Sequence, residues 1–408
     1  MTPPPARTSL RALLLCQAVL VGGLTLSFPF MTLYLHQERG LPMGFVGLVI
    51  SASLLATAAG QGVGGELSDS WGCKRVMAAG VAGRAAFTAL LAVAIARDWT
   101  LAALAGAHLL AAFMGNLYDP AVKSWIAQEH PAEDRARAYG LLRMAANAAW
   151  AVGPALGGFM AGRSYALMFG TTAAVCALAL VLLLWAVPPS PPAQDREGFD
   201  LVALLAVARD GRYLRYCLLT VALGLMTAQL VAPLSVHAVE HGGLSETQLG
   251  VLFTVNGALV VLLQTGANAA IAGSRLTAAA AVACLFYAAG WPFIGFAAGL
   301  PALAAGMAVV TVGEVLLSPT SSALAANMAP ARNRGRYLGF HGLSYQLGHA
   351  LGPLLGGLGA EHLSGRWAPA PWVAAGAMAG ACGWGFHLLG RGLSRDEQGL
   401  SRDKESIT

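Results

Sequence analysis

The sequence has little charge. Only 11% of its 408 residues are Asp, Glu, Lys or Arg, while 56% are apolar, and an ordinary soluble domain has about 25% charged residues. So few charges do not cover a water-facing surface, which excludes a typical cytosolic enzyme and a disordered chain. The net charge of +5 comes without a basic stripe interleaved with aromatic residues, so we expect no nucleic-acid partner.

The sequence also lacks the patterns of common cofactor and metal sites. Its six cysteines are far apart and form no CxxC or CxxH pair, and we interpret them as small apolar residues of the interior. The sequence pattern contains no P-loop, nucleophile elbow or metal-ligand cluster. We therefore expect neither an enzyme nor a bound cofactor or metal.

Long apolar segments make up most of the chain. A bilayer core takes about 20 apolar residues per helix, and charged or Gly/Pro-rich breaks divide the sequence into twelve such segments, numbered spans 1 to 12. They lie near 10–36, 43–66, 75–97, 99–127, 138–161, 165–187, 213–238, 245–272, 276–298, 301–328, 336–360 and 369–390. We interpret the first as a retained span rather than a removed signal. The predicted fold class is an all-α membrane protein with twelve transmembrane helices in two six-helix bundles.

One long polar stretch interrupts this pattern after span 6. It begins Pro-Pro-Ser-Pro-Pro, which is typical of a linker. The predicted organisation is an N-terminal bundle over 1–187, a cytoplasmic linker over 188–212 with a short interfacial helix near 199–207, a C-terminal bundle over 213–391 and a cytoplasmic tail over 392–408.

The positions of Lys and Arg predict the orientation, because cytoplasmic loops of membrane proteins are enriched in both. With both termini in the cytoplasm, 18 of the 25 Lys and Arg residues lie on the cytoplasmic side. Only Arg39, Arg97, Arg163 and Arg366 then lie outside. We therefore expect an N-in, C-in chain.

A fixed offset of 199 residues relates the two halves of the sequence. It links these pairs: Pro120 and Pro319, Pro131 and Pro330, Arg135 and Arg334, and Gly153-Pro154 and Gly352-Pro353. Such a gapless match indicates that spans 4–5 and spans 10–11 are copies of one unit in parallel orientation. Repeats of this kind form transporters whose binding site lies near the membrane midplane.

Two motifs resemble those of the major facilitator superfamily. The segment 65–75 after span 2 matches its motif A at Gly65, Asp69, Gly72, Lys74 and Arg75. Span 5 resembles its motif C, which is characteristic of the 12-helix drug:proton antiporter branch, with Ala149 in place of one glycine. The motif C positions are Gly153, Pro154, Gly157 and Gly158 in span 5 and Gly352, Pro353, Gly356 and Gly357 in span 11. The resemblance implies the fold of this superfamily and alternating access between two bundles.

The resemblance also implies roles for both motifs. Asp69 would contact the cytoplasmic end of span 11 in the outward-open state, where a helix N-terminus favours an acid. The Gly-Pro pairs of spans 5 and 11 act either as a hinge or leak seal or as packing contacts, because proline kinks a helix and glycine permits close helix contact. Span 4 lacks the arginine of the superfamily's motif B, which weakens direct transfer of a proton-coupling mechanism.

Charges inside the spans are candidate coupling residues, because each costs about 2.5–3.5 kcal/mol at mid-helix on insertion scales. Glu314 lies about halfway along span 10. Asp119 on span 4 lies at a depth comparable to that of Arg84 on span 3, which leaves two arrangements open: a pair between Asp119 and Arg84, or a bridge from Asp119 to Lys123 at i, i+4.

Three further polar residues complete the predicted cavity. His108 shares one arc of span 4 with Asp119 and is either a relay residue or a hydrogen-bond donor between helices. Arg143 and Asn147 lie one turn apart on span 5 and predict a polar inner face. A carboxyl group in a low dielectric favours its protonated form, so Asp119 or Glu314 could load a proton and release it when a cationic substrate arrives.

These observations predict a secondary transporter of the bacterial inner membrane, a monomer whose partners are the lipid bilayer, protons and a small-molecule substrate. We expect proton-driven export of small amphipathic compounds, with the direction resting on motif C. Two alternatives stay open: a proton-linked transporter of a polar or anionic metabolite, which Arg84, Arg143 and His108 suit, and a non-transporting membrane receptor.

Overall fold

The computed structural model describes residues 6–188, 204–230, 232–330, 333–365 and 367–405. In this part of the chain the α-helices are α1 (Ala6–Ser27), α2 (Phe30–Leu33), α3 (Met43–Trp71), α4 (Cys73–Ala96), α5 (Leu101–Gly115), α6 (Tyr118–Glu129), α7 (Ala132–Ala161), α8 (Tyr165–Ala186), α9 (Gly211–Thr227), α10 (Ala232–Glu240), α11 (Glu246–Ile271), α12 (Leu276–Phe296), α13 (Gly299–Met328), α14 (Arg334–Leu363) and α15 (Ala370–Glu405). Among the described residues there is no strand, so the all-α prediction is confirmed there. Most of the predicted linker lies outside the described residues.

Ten helical segments within the described residues are long and apolar enough to cross a membrane. They correspond to all of the predicted spans except 5 and 11. Those two spans form α7 and α14, which are 30 residues long but contain Gly-Pro pairs and several polar side chains. The count of twelve spans and the N-in, C-in orientation stay predictions.

Three predicted spans are not continuous helices. In span 7, α9 ends at Thr227 and a 3-10 turn over Ala228–Leu230 follows it. Span 1 breaks at Pro29, after which α2 and a π-helical turn over Tyr34–Glu38 continue the chain. Span 4 breaks between α5 and α6, where the Asn116 side chain donates hydrogen bonds to Ala112 O at 2.8 Å and to Thr57 Oγ1 at 3.2 Å. An asparagine that bonds to nearby groups competes with the helix ladder, and span 4 is accordingly divided into two helices.

Motif A is mostly helical rather than a loop. Helix α3 continues to Trp71 and α4 begins at Cys73, so the predicted connection over 65–75 is reduced to a turn at Gly72. That residue has φ +85°, a left-handed conformation that glycine adopts without steric cost. Glycine is therefore required at this position of the motif for a conformational reason.

The chain divides into two compact units. Unit 1 comprises Met1–Gly198 and Leu234–Ala258, and unit 2 comprises Phe199–Pro233 and Leu259–Thr408. Within unit 1, α1 packs against α7 and α8, and α4 packs against α5 and α8. Within unit 2, α9 packs against α14, and α12 packs against α13 and α15. The division into two six-helix bundles at 1–187 and 213–391 stays a prediction.

The segment Leu234–Ala258 joins unit 1 partly through a polar contact. His36 Nε2 lies 2.9 Å from Glu240 Oε1, and His36 Nδ1 lies 2.7 Å from Leu41 O. A second ion pair in unit 1 joins Arg39 to Asp98.

Candidate functional site

The glycines of motif C are packing positions in unit 1. A Cβ at Gly153 would overlap the Thr25 side chain, and a Cβ at Gly157 would overlap the Leu26 carbonyl. Both contacts bring α7 against α1. Gly158 lies in the same way against the Glu246 carbonyl at the start of α11. Here glycine permits backbone-to-backbone contact between helices.

A similar arrangement recurs in unit 2 between α14 and the 3-10 turn after α9. A Cβ at Gly352 would overlap Ala228, and a Cβ at Gly356 would overlap the amide of Gln229. The Gln229 amide nitrogen donates to Gly352 O at 3.2 Å, which links this turn to α14. Gly357 is buried as well.

The prolines of motif C do not break their helices. Pro154 lies inside α7 and Pro353 lies inside α14. The packing role of the motif C glycines is therefore visible in the structure, while the hinge role stays a prediction. Ala149, which replaces one glycine of the motif, faces Gly22 of α1, where a Cβ would lie 4.0 Å from the alanine methyl.

Asp119 binds Lys123 rather than Arg84. Lys123 Nζ lies 2.6 Å from Asp119 Oδ2, one helical turn away, and both side chains are substantially exposed. Of the two arrangements that the sequence left open, the structure therefore has the i, i+4 bridge. An exposed pair of this kind contributes little to stability.

Arg84 lies in the interior of unit 1 beside the break in span 4. Its side chain is 8% exposed, and its guanidinium lies against Gly115, where a Cβ would overlap Nε, Cζ and Nη2. Arg84 is close enough to His108 and Cys176 to interact electrostatically with both. Among the described residues, no carboxylate lies within ion-pair distance of this arginine.

We predict that Gly115→Ala expels the Arg84 guanidinium from its position. Overpacking of a tight interior costs about 1–3 kcal/mol, so the apparent melting temperature in detergent should fall by about 2–10 °C. Gly106→Ala on the same helix is the control, because a Cβ there meets nothing within 4 Å. In an Arg84→Ala background the effect of Gly115→Ala should largely disappear. An equal loss in both backgrounds would contradict the contact.

The remaining predicted residues of unit 1 lie on α3, α4 and α7. Arg143 is exposed and Asn147 is partly exposed on α7. In motif A, Lys74 Nζ donates to Leu184 O at 2.9 Å, which links α4 to the end of α8. Gly65 and Asp69 lie within the last turns of α3, and Arg75 is exposed near the start of α4.

Glu314 lies beside two tyrosines within unit 2. It is partly buried on α13 and interacts electrostatically with the phenols of Tyr287 and Tyr345. The neighbouring Gly313 allows α13 to approach α12, because a Cβ there would lie 2.9 Å from Ala283 O and 3.0 Å from the Tyr287 ring. Tyr287 is fully buried, and its hydroxyl makes no hydrogen bond to the described residues.

Helices α9 and α14 complete the surroundings of this carboxyl group. The Tyr345 and Thr227 hydroxyls lie 2.9 Å apart, and the His349 ring stacks on Tyr345 with centroids at 5.8 Å. Glu314 was predicted from the sequence, whereas Tyr287, Thr227 and His349 were not. Their only signal was the placement of single polar side chains in apolar spans.

Comparison with known proteins identifies the family. The model of the Major Facilitator Superfamily matches residues 13–297 and 217–406. The chain belongs to this superfamily. The resemblance drawn from motifs A and C is thereby confirmed, and the chain is a multi-pass integral membrane transporter of the secondary type rather than an enzyme.

Several bacterial relatives of this superfamily member are similar over most of their length. The uncharacterized MFS-type transporter YttB of Bacillus subtilis (strain 168) is 25% identical over 358 residues, which are 87% of this chain and 89% of the relative. The multidrug resistance protein MdtH of Edwardsiella ictaluri (strain 93-146) is 28% identical over 353 residues, 85% of each chain.

Solved transporters share the fold. The nucleoside transporter NupG superposes with a TM-score of 0.80 at 12% identity. The superposition covers 93% of this chain and 99% of the NupG chain. A bacterial homolog of the human lysosomal transporter Spinster superposes with a TM-score of 0.74 at 14% identity, covering 97% and 99%. These similarities establish the fold, and the substrate class is inferred from the residues of the site.

Proposed function

We propose that this transporter is a proton-coupled exporter of small amphipathic cations, in which Glu314 carries the proton. The observation that carries the proposal is the position of Glu314, a carboxyl group at the middle of a long apolar helix between two tyrosines. An ionisable residue placed inside a membrane span is costly and marks a functional pathway. Asp119, the other carboxyl group predicted for coupling, is exposed and bound to Lys123.

The chemistry follows from one carboxyl group that serves two ligands in turn. Protonated Glu314 is neutral and compatible with an apolar environment. Ionised Glu314 is negatively charged, has no proton to donate and binds a cation. The electron-rich face of Tyr345 favours an organic cation beside the carboxylate. Binding of substrate therefore displaces a proton, and proton binding displaces substrate, which is the condition for antiport.

The other parts of the proposal complete an alternating-access cycle. Asp69 would bind the cytoplasmic end of α14 in the outward-open state, and the Gly-Pro pairs of α7 and α14 would allow the helices to bend. The relatives named as multidrug resistance proteins support export of a range of compounds. We also propose an N-in, C-in monomer in a bacterial inner membrane.

Flux into proteoliposomes tests this function. With an acidic lumen and a neutral exterior, antiport should concentrate ethidium, an organic cation, inside the vesicles, and a protonophore should abolish the accumulation. A panel of organic anions and zwitterions run in parallel defines the substrate charge. If no member of the panel moves protons in a protein-dependent way, proton coupling is wrong.

A second candidate function has one observation in its favour. Arg84 is buried next to His108 with no carboxylate in ion-pair distance among the described residues, and such a cation suits an anionic metabolite. The same panel separates the candidates. If the parent protein transports anions but not ethidium, and Arg84→Gln abolishes the anion transport, the second function replaces the first.

A further inference from the structure

The side chains along one face of α14 form a line toward Glu314. Tyr337, His341, Tyr345 and His349 are spaced four residues apart, which places them above one another on a helix at intervals of about 6 Å. The line begins near Arg334, at the helix end that the distribution of Lys and Arg assigns to the cytoplasm. It reaches the level of Glu314 at Tyr345.

The first part of this line carries hydrogen-bonding groups from the helix end inward. The Tyr337 hydroxyl donates to Asp210 Oδ2 at 3.2 Å. Tyr213 donates to Tyr337 O at 2.8 Å, and the two rings lie 4.6 Å apart. Asp210 itself begins α9, where its carboxylate accepts from the Arg212 and Tyr213 amides. A fixed carboxylate therefore stands at the outer end of the line.

His341 occupies the middle of the line, in contact with α9 and α13. Its Nε2 lies 3.0 Å from Ser321 Oγ, and its ring stacks on Tyr216 with centroids 5.5 Å apart. The Tyr216 hydroxyl donates to Ser321 O at 2.6 Å and lies 3.1 Å from Ser321 Oγ. No charged side chain contacts His341 in the described part of the chain, so these neutral groups set its environment.

The inner part of the line connects to the carboxyl group. Ser321 and Glu314 are seven residues apart on α13, so they share one face two turns apart. On α14, Tyr345 follows His341 by one turn, bonds to Thr227 and interacts electrostatically with Glu314. A rise of about 6 Å separates the Cα positions of His341 and Tyr345 along the helix, and the proposed path crosses it through one bridging water.

We propose that His341 is the proton-transfer residue that connects Glu314 to the cytoplasmic side. The inference rests on the proposed proton coupling at Glu314. Neutral imidazole has one donor and one acceptor nitrogen, so a proton taken up on one nitrogen is balanced by the proton released from the other. The proton lost by Glu314 passes through Tyr345 and a water to His341, and leaves toward Tyr337 and Asp210.

A proton-transfer role and a structural role predict different results for His341→Gln. Glutamine keeps a donor and an acceptor for Ser321 but does not relay protons as imidazole does. Proton-driven ethidium uptake into proteoliposomes should fall by about tenfold or more, a change of about 1.4 kcal/mol in the barrier. Exchange of labelled for unlabelled ethidium at equal pH requires no net proton movement, and it should stay within about twofold of the parent rate.

Two further variants make the test specific. Tyr345→Phe removes the hydroxyl next to Glu314 and should also reduce driven uptake more than exchange. His362→Gln, at an exposed position near the far end of α14, is the matched control and should change neither rate.

The outcomes separate this inference from the function on which it rests. Parent protein without proton-driven uptake contradicts the proposed function and the relay with it. If the parent protein is coupled but His341→Gln keeps both rates or lowers both equally, the relay is overturned. The coupling at Glu314 is then still intact.

Discussion

Replacing Glu314 by glutamine is expected to abolish proton-driven accumulation of substrate. Glutamine keeps the shape of the side chain but takes up no proton, so the transporter would lose the step that links the proton gradient to transport. In proteoliposomes with an acidic lumen, ethidium uptake should fall at least about tenfold toward the rate without a gradient, as loss of an essential intramembrane carboxyl group implies.

Two other carboxyl groups provide the comparison for this variant. Glu133→Gln changes an exposed residue in the first turn of α7 and should leave uptake unchanged. Asp119→Asn removes the exposed partner of Lys123 and should have a much smaller effect than Glu314→Gln. If Asp119→Asn abolishes coupling and Glu314→Gln does not, then Asp119 is the carrier and the assignment is reversed.

The second large effect is expected from Gly157→Val in motif C. A Cβ at this position overlaps the Leu26 carbonyl of α1, and a backbone atom has no rotamer by which to move away. The two helices must separate, at a cost of about 1–3 kcal/mol or more. The melting temperature of the purified protein in detergent should fall by about 5 °C or more, and transport should fall with it.

The chain contains matched controls for this steric argument. Gly140→Val lies on the same helix, where a Cβ meets nothing within 4 Å. In unit 2, Gly348→Val should destabilise because its Cβ overlaps the Val221 carbonyl, whereas Gly342→Val occupies open space. Equal melting temperatures for Gly157→Val and Gly140→Val would show that the α1–α7 contact does not depend on glycine.

The helical architecture and its duplication could be predicted from the sequence because both leave periodic signals. The offset of 199 residues relates Gly153 to Gly352 and Gly157 to Gly356, and each of these glycines lies against a partner helix in its own unit. Composition alone predicted membrane helices, because so few charges leave no other environment for long apolar segments.

The interruptions of the spans were harder to predict. Pro29 was a visible signal for the break in span 1, since proline removes a backbone donor. The break in span 4 depends on Asn116, whose side chain bonds to Ala112 O and to Thr57 on another helix. The second of these partners is unknown until the helices pack, so helical periodicity favoured an unbroken arc.

The surroundings of Glu314 could be predicted only in part, for a similar reason. A charged residue inside an apolar span is an obvious candidate by itself. Tyr287 and Thr227 are far from it in sequence, and they reach the site because glycines let the backbones come close, Gly313 on α13 and Gly224 on α9. Such long-range contacts leave no periodic pattern in one sequence.

Proton release on substrate binding tests the central claim most directly. Purified parent protein in weakly buffered detergent solution is mixed with ethidium, and the protons released are measured with a pH indicator and compared with the ethidium bound. Linkage between the two ligands of Glu314 predicts release of up to about one proton per ethidium from the parent protein and none from Glu314→Gln. Binding of ethidium by the parent without proton release, or equal release from both proteins, would contradict the account.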